Sequence, residues 1–219
     1  TLYAYTKARV KAQANGGVNL DDILSSGGSI GIYHTAGKGT RLAPLPGSEN
    51  NNKPGVKLPS LVTVDGASEN LTILEAVIRQ TGRYASERAG RCSVFWGDQI
   101  FIPAVGHGAS GKHHADILAV MGPMPTAEEW RERGLEKYGL IAVNDSDEAT
   151  QVEKVSFETA SELLSSFGVV SSVGPSLGSF SLSAPMLAGL LAEFQSEIAG
   201  KEAKFDSDPH FWMPLTMKS

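Results

Sequence analysis

Ser29-Ile30-Gly31-Ile32-Tyr33-His34-Thr35-Ala36-Gly37-Lys38-Gly39-Thr40-Arg41-Leu42 carries most of the information in this chain. An apolar run of strand character passes directly into a loop in which two glycines flank a lysine. Arg41 follows at once, and Lys53-Pro54 comes about a dozen residues later. Glycines let a backbone approach a polyanion closely and turn its N–H groups inward, as a phosphate-cradling loop requires. The arginine adds a planar fork of donors that matches phosphate oxygens. Strand and loop together predict a nucleotide site.

Two familiar phosphate loops fit poorly. A dinucleotide fingerprint needs a third glycine and a helix running on from the loop. Here Leu42 stands where that glycine belongs, and Pro44-Leu45-Pro46-Gly47 cannot continue as a helix. A second glycine-rich stretch, Gly106-His107-Gly108-Ala109-Ser110-Gly111-Lys112-His113, fits the frame of a P-loop but puts His113 where a hydroxyl should hold magnesium. An imidazole is a poor ligand for that hard ion. A flexible loop with exposed basic residues is the better reading of it.

The order Gly37-Lys38-Gly39-Thr40-Arg41-Leu42-Ala43-Pro44-Leu45, then Lys53-Pro54, resembles the signature of the sugar-1-phosphate nucleotidyltransferases, the nucleoside-diphosphate-sugar pyrophosphorylases. Ala36 stands where that family has a glycine, and His34-Thr35 where it has Leu-Ala. Later segments are similar to the family in the same order. Val94-Phe95-Trp96-Gly97-Asp98 is an apolar strand ending in Gly-Asp, where the family holds a magnesium-binding aspartate. Tyr138-Gly139-Leu140-Ile141 and Gln151-Val152-Glu153-Lys154-Val155 resemble its Tyr-Gly strand and its Glu-Lys-Pro strand, with Val155 replacing the proline. Ser176-Leu177-Gly178-Ser179-Phe180 resembles its sugar-contacting turn, with Ser176 in place of asparagine.

Each motif has a plainer reading. An Asp at a strand end is a common turn-former or helix cap. Asn144-Asp145-Ser146-Asp147-Glu148 predicts a hairpin turn, and Glu153 and Lys154 then read equally well as solvated hairpin residues. Collinearity over residues 28–200 makes the resemblance specific.

The resemblance implies a GT-A-type, Rossmann-like, three-layer α/β domain over residues 28–219, preceded by a helical extension at 1–27. It implies nucleotidyl transfer from a nucleoside triphosphate to a hexose-1-phosphate, with UTP and glucose-1-phosphate as the first choice. Ala36, Gly37, Lys38, Gly39, Thr40 and Gly97 would line the nucleotide. Arg41 would hold the leaving β/γ-phosphates, Lys53 the α-phosphate and Lys154 the sugar phosphate. Asp98 would bind Mg2+, and Gly139, Glu153 and Gly178 would line the sugar pocket. The family's second metal-binding aspartate has no convincing counterpart, and the chain stops at Ser219 where more sheet is expected. Asp206, Asp208 and His210 sit in an Asp/Pro-rich tail that reads first as a turn. These gaps support a rival: a degenerate domain serving as a binding or scaffold subunit. A homo-oligomer or a larger assembly is compatible with both.

Composition narrows the field. At 219 residues the chain can bury one substantial core, so one domain is the simplest count. A net charge of −5 argues against a nucleic-acid groove or an anionic membrane surface as the main partner. No apolar run is long enough for a membrane span. Cys92 stands alone in an apolar run and is expected to be buried, which fits an intracellular, reducing compartment, cytoplasm or organelle stroma. No signal peptide is evident, and the start at Thr1 reads as a processed product or an internal piece of a longer polypeptide.

Periodicity predicts helices at 3–13, 20–24, 72–88, about 127–133, 158–165 and 184–198. Strands are predicted at 29–34, 61–64, 93–96, 117–121, 139–143, 151–155 and 168–173. In the 72–88 helix, Ile73, Leu74, Val77, Ile78 and Tyr84 should face inward; in the last helix, Met186, Leu187, Leu190, Leu191 and Phe194 should share a face. Alternating strands and helices predict a mainly parallel sheet covered on both sides.

Overall fold

A computed structural model describes residues 1–35, 53–97, 99 and 113–200, with the side chain of Lys53 outside that set. The chain is α/β, with seven helices and a mixed sheet among the described residues. It divides into two compact units. Among the described residues, one comprises residues up to Asp116 together with 180–200, the other Ile117–Ser179. Among the described residues no helix is long and apolar enough to cross a membrane.

The first unit opens with α1 (Leu2–Gly16) and α2 (Leu20–Ser25). Gly17 ends α1 with φ 64°, a left-handed turn that glycine adopts without a Cβ penalty. Asn19 caps α2 by accepting from the Asp21 amide. The helices are tied together through Asp21, which accepts from the Tyr5 hydroxyl at 2.8 Å and pairs with Arg9 at 2.6 Å. β1 (Ile30–His34) then runs parallel to β4 (Arg91–Trp96), with Ile30 opposite Cys92 and His34 opposite Trp96. The last residues of β8 (Val170–Ser183) pair antiparallel with β4 on its other edge, Arg91 facing Ser183 and Val94 facing Phe180.

Between the parallel strands lie β2 (Lys57–Val64), β3 (Ala67–Thr72) and α3 (Ile73–Ser86). β2 and β3 form a hairpin closed by Asp65 and Gly66, both at positive φ (49° and 83°), the geometry of a two-residue type I′ turn. Only the fragment 61–64 is legible as strand in the sequence, because most of the hairpin's residues are exposed and it lacks a clean apolar alternation. The Asp-Gly pair was the signal that would have found it. α3 starts on a full capping box, Thr72 with Glu75. It buries Ile73, Ala76 and Val77, but Ile78 is 42% exposed and does not face inward as its spacing predicted. Ala76 and Thr81 take the buried places instead.

The second unit is built on antiparallel pairing. β6 (Gly139–Asn144) and β7 (Ala149–Glu153) form a hairpin, with Gly139 opposite Glu153 and Val143 opposite Ala149. The Asn144 side chain shapes the turn by accepting from the amides of Ser146 and Glu148, as the sequence led one to expect. β6 also pairs antiparallel with β8, Leu140 facing Pro175. The C-terminal residues of β5 (Ala115–Ala119) lead to Val120, whose amide donates to Pro175, and to Gly122, bridged to Val173.

One face of this sheet packs on α4 (Ala127–Glu132) and α5 (Phe157–Leu164). Trp130, Leu140, Ala142, Val152, Ala160, Leu164 and Val173 form its core. The Trp130 indole donates to the Val155 carbonyl at 3.3 Å, so the buried N–H has a partner. Beyond β8 come α6 (Ala184–Glu193), which belongs to the first unit and buries Leu187 and Leu190, and α7 (Gln195–Gly200).

Three expectations need correction. The sheet is not mainly parallel: among the described pairings only β1–β4 is parallel. β6 and β7 are joined by a short turn, and so short a link reverses the chain. The strand foreseen at 168–173 continues to Ser183, so the segment Ser176–Phe180 is strand and not a turn. Gly178 interrupts it locally at φ 70°. The helix foreseen at 184–198 is split at Phe194, whose φ −98°, ψ 23° leaves the helical region.

Candidate functional site

The predicted site residues fall into two groups, one in each unit. In the first unit the decisive geometry is at the carboxyl ends of β1 and β4. The Gly97 amide donates to the His34 carbonyl at 2.7 Å, so the chain leaves both strands side by side. Thr35 leads directly into the Ala36–Arg41 segment, and Gly97 into Asp98. Gly97 is buried, and a Cβ there would stand 3.0 Å from Thr35 Cγ2, 3.2 Å from the His34 carbonyl oxygen and 3.2 Å from Leu74 Cδ1. A larger residue would push the two strand exits apart.

The neighbouring side chains are aromatic. Tyr33 stacks on Phe95 at 5.5 Å, and the His34 ring tilts against Trp96 at 5.3 Å while its Nε2 lies 3.0 Å from the Thr1 hydroxyl. Carboxyl ends of adjacent parallel strands are where open α/β sheets gather ligands. Ala36, Gly37, Lys38, Gly39, Thr40, Arg41 and Asp98 themselves lie outside the described residues, as do Gly106–Lys112 and the tail with Asp206, Asp208 and His210. Lys53 opens a short 3-10 turn, Lys53–Gly55.

In the second unit the structure brings Gly139, Glu153 and Lys154 together. Glu153, the last residue of β7, is the direct cross-strand partner of Gly139. Its carboxylate lies over the Gly139 backbone, in the space that a Cβ at position 139 would occupy. Lys154 then leaves the strand at φ 51°, unusual for a residue with a side chain, and its amide donates to the Tyr138 carbonyl at 3.1 Å. That turn returns the Lys154 ammonium to Glu153, Nζ to Oε1 3.0 Å. Both side chains are more than half exposed, so the pair adds little to stability and stays open to a ligand. Gly178 lies on β8, three residues beyond Pro175, the partner of Leu140, and its amide donates to the Ser176 hydroxyl at 3.2 Å.

Two features escaped the sequence. Gln151 sits on the same face of β7 as Glu153, and its Nε2 donates to Glu153 Oε2 at 3.0 Å. The i, i+2 spacing was the available signal. In the first unit, Asp116 pairs with Arg91 at 3.2 Å and Arg88 at 3.9 Å and accepts from the Ser181 hydroxyl at 3.1 Å. Arg91 also donates to Ser181 and to the His113 carbonyl. No local pattern foretells contacts between residues so far apart in sequence.

Among the described residues no three His, Cys, Asp or Glu side chains gather as a metal ion needs. No protein-family model matches the chain, and no curated protein matches it significantly.

Proposed function

We propose that the protein transfers a nucleotidyl group from a nucleoside triphosphate to a hexose-1-phosphate, releasing pyrophosphate. The observation that carries this reading is the Gly97–His34 hydrogen bond. It holds His34, two residues before Ala36 in the sequence, beside Gly97, the residue before Asp98. The Gly139–Glu153–Lys154 cluster gives second support, because it offers an acceptor and a cation at one strand end.

In this reaction a phosphate oxygen of the sugar-1-phosphate attacks the α-phosphorus, and the bond from that phosphorus to the β-phosphate oxygen breaks. The nucleophile is already an anion, so positioning and charge neutralisation do most of the work. Arg41 and the amides of Gly37–Thr40 would hold the leaving phosphates, Lys53 the α-phosphate and Lys154 the sugar phosphate. Magnesium enters the proposal through Asp98 and the family resemblance, and would neutralise the polyphosphate.

The rival reading, a degenerate domain that binds without catalysing, draws on Ala36, Val155 and Ser176, and on an ion pair in which Lys154 already spends its charge on Glu153. A pyrophosphate-release assay separates the two. The four nucleoside triphosphates are tested against several hexose-1-phosphates with and without magnesium, UTP and glucose-1-phosphate first. Release that requires both substrates supports the enzyme; silence across the matrix supports the binding subunit.

A further inference from the structure

Arg88 and Arg91 share one described carboxylate, Asp116, so this cluster of the first unit keeps a positive charge in excess. Both guanidiniums stand largely out of water, where a charge without a counter-ion is costly. The excess falls on Arg88. Arg91 is well served: its Nε and Nη2 donate to Ser181, its Nη1 to the His113 carbonyl, and Nη2 lies 3.2 Å from Asp116 Oδ2. Arg88 makes one hydrogen bond among the described residues, from Nη1 to the Tyr84 carbonyl. Its Nε stands 3.9 Å from the same Asp116 oxygen, beyond hydrogen-bond range. The guanidinium carbon lies 5.4 Å from the centre of the Tyr84 ring, which orients the group without neutralising it. Nη2 is left with both its hydrogens to donate.

These donors are open to solvent. No Arg88 nitrogen belongs to the side-chain atoms that are both closed to water and unpartnered among the described residues. His113, whose carbonyl Arg91 holds, and His114 are exposed. The Ser183 hydroxyl oxygen accepts from the Met186 amide, which leaves its proton for His114 Nδ1 at 2.9 Å. In the neutral ring Nε2 then carries the hydrogen and is a further donor at an exposed position. Arg91, the cross-strand partner of Ser183, is the first residue of β4, and Trp96, next to Gly97, is its last. About 17 Å of strand separates the two ends. A cation would add to the excess charge here, and a neutral group would leave it uncompensated. An anion answers it, and the several oxygens of a phosphate match the arginine fork and the imidazole donor together. We propose that the Arg88–Arg91 cluster is a second anion site, which takes a phosphate group at the end of β4 opposite Gly97. It does not depend on the nucleotidyl-transfer reading.

The test is calorimetric titration of the full chain with inorganic phosphate and, separately, glycerol 3-phosphate, which tells a free ion from a monoester. Thermal melts in sodium phosphate, sodium acetate and sodium chloride at matched ionic strength accompany it. Phosphate at about tenfold its dissociation constant should raise Tm by about 3–6 °C, and the other two salts should not. Arg88→Leu should weaken phosphate binding at least ~10-fold and remove that rise. Arg88→Lys keeps the charge and loses the fork; it should bind with intermediate affinity, and it provides the readout if the leucine variant fails to fold. Arg41→Ala, in the glycine-rich loop, should keep both the binding and the rise.

Absence of phosphate binding overturns the inference, and so does binding that both Arg88 variants leave unchanged. A rise in Tm that persists in Arg88→Leu, or that acetate and chloride reproduce, marks a general salt effect and also overturns it. Loss of the rise in Arg41→Ala but not in Arg88→Leu assigns the phosphate to the glycine-rich loop and refutes the second site.

Discussion

Asp116 joins the buried charges of the first unit. Its carboxylate is the described counter-charge for Arg88 and Arg91, whose side chains are 10% and 6% exposed. Removing one partner of a buried ion pair leaves the other charge desolvated and uncompensated. Asp116→Ala should therefore lower stability by about 3–5 kcal/mol in urea denaturation. A loss under ~1 kcal/mol would mean that water already screens the arginines.

Cys92 works through protons. Burial pushes its thiol up from 9.0 to about 12, and burial together with the hydrogen bond to Asp21 raises the Tyr5 phenol as well. Both groups hold their protons in the folded state at a pH where the unfolded chain has lost them. Their contribution is complete below pH 9 and shrinks as pH climbs towards 12. The urea midpoint should fall across that window, and Cys92→Ala should flatten the fall. A thiol reagent at pH 8 should label Cys92 only in denaturant; rapid labelling of the native protein would contradict its burial.

Helix starts carry a stability signal of the opposite sign. Thr126 accepts from the Glu129 amide while the Glu129 carboxylate accepts from the Thr126 amide at 2.7 Å, and Thr72 with Glu75 repeats the arrangement at α3. The bond from the Thr126 amide holds the Glu129 carboxyl below its usual range, and the Thr72 hydroxyl does the same for Glu75. Depressed carboxyls stabilise above pH 4.5 and lose that contribution as pH falls below it. Thr126→Ala should cost ~1 kcal/mol at neutral pH and weaken the acid dependence, read from thermal melts at pH 7 and pH 3. An unchanged pH profile in this variant would remove the capping box as its source. Periodicity alone predicted helices from 72 and about 127, close to these starts; the Thr-x-x-Glu box that fixes them is a local pattern that needs no other part of the chain. β2–β3 and the second half of β8 were harder to read. Exposed polar strands and a strand interrupted by Gly178 have no clean period of two, and only their partners define them.

For the whole molecule the question is whether polyphosphate chemistry occurs. If the proposed nucleotidyl transfer occurs, Arg41→Ala should lower its turnover by ~100-fold or more, as loss of a charge-stabilising donor does. Lys154→Ala should act mainly on the KM for the sugar phosphate. If pyrophosphate release is measurable and Arg41→Ala leaves kcat intact, the role given to the glycine loop is wrong. The sequence by itself determined what depends on near neighbours: the α/β class, most helix limits, the β6–β7 turn and the burial of Cys92. Tertiary structure alone decided which strands run parallel, that Gly97 closes against His34, that Glu153 lies over Gly139 beside Gln151, and that Asp116 answers two arginines. The reason is physical. Local propensities and caps act within a few residues, whereas register, close backbone approach and buried charge pairing exist only once distant segments have met.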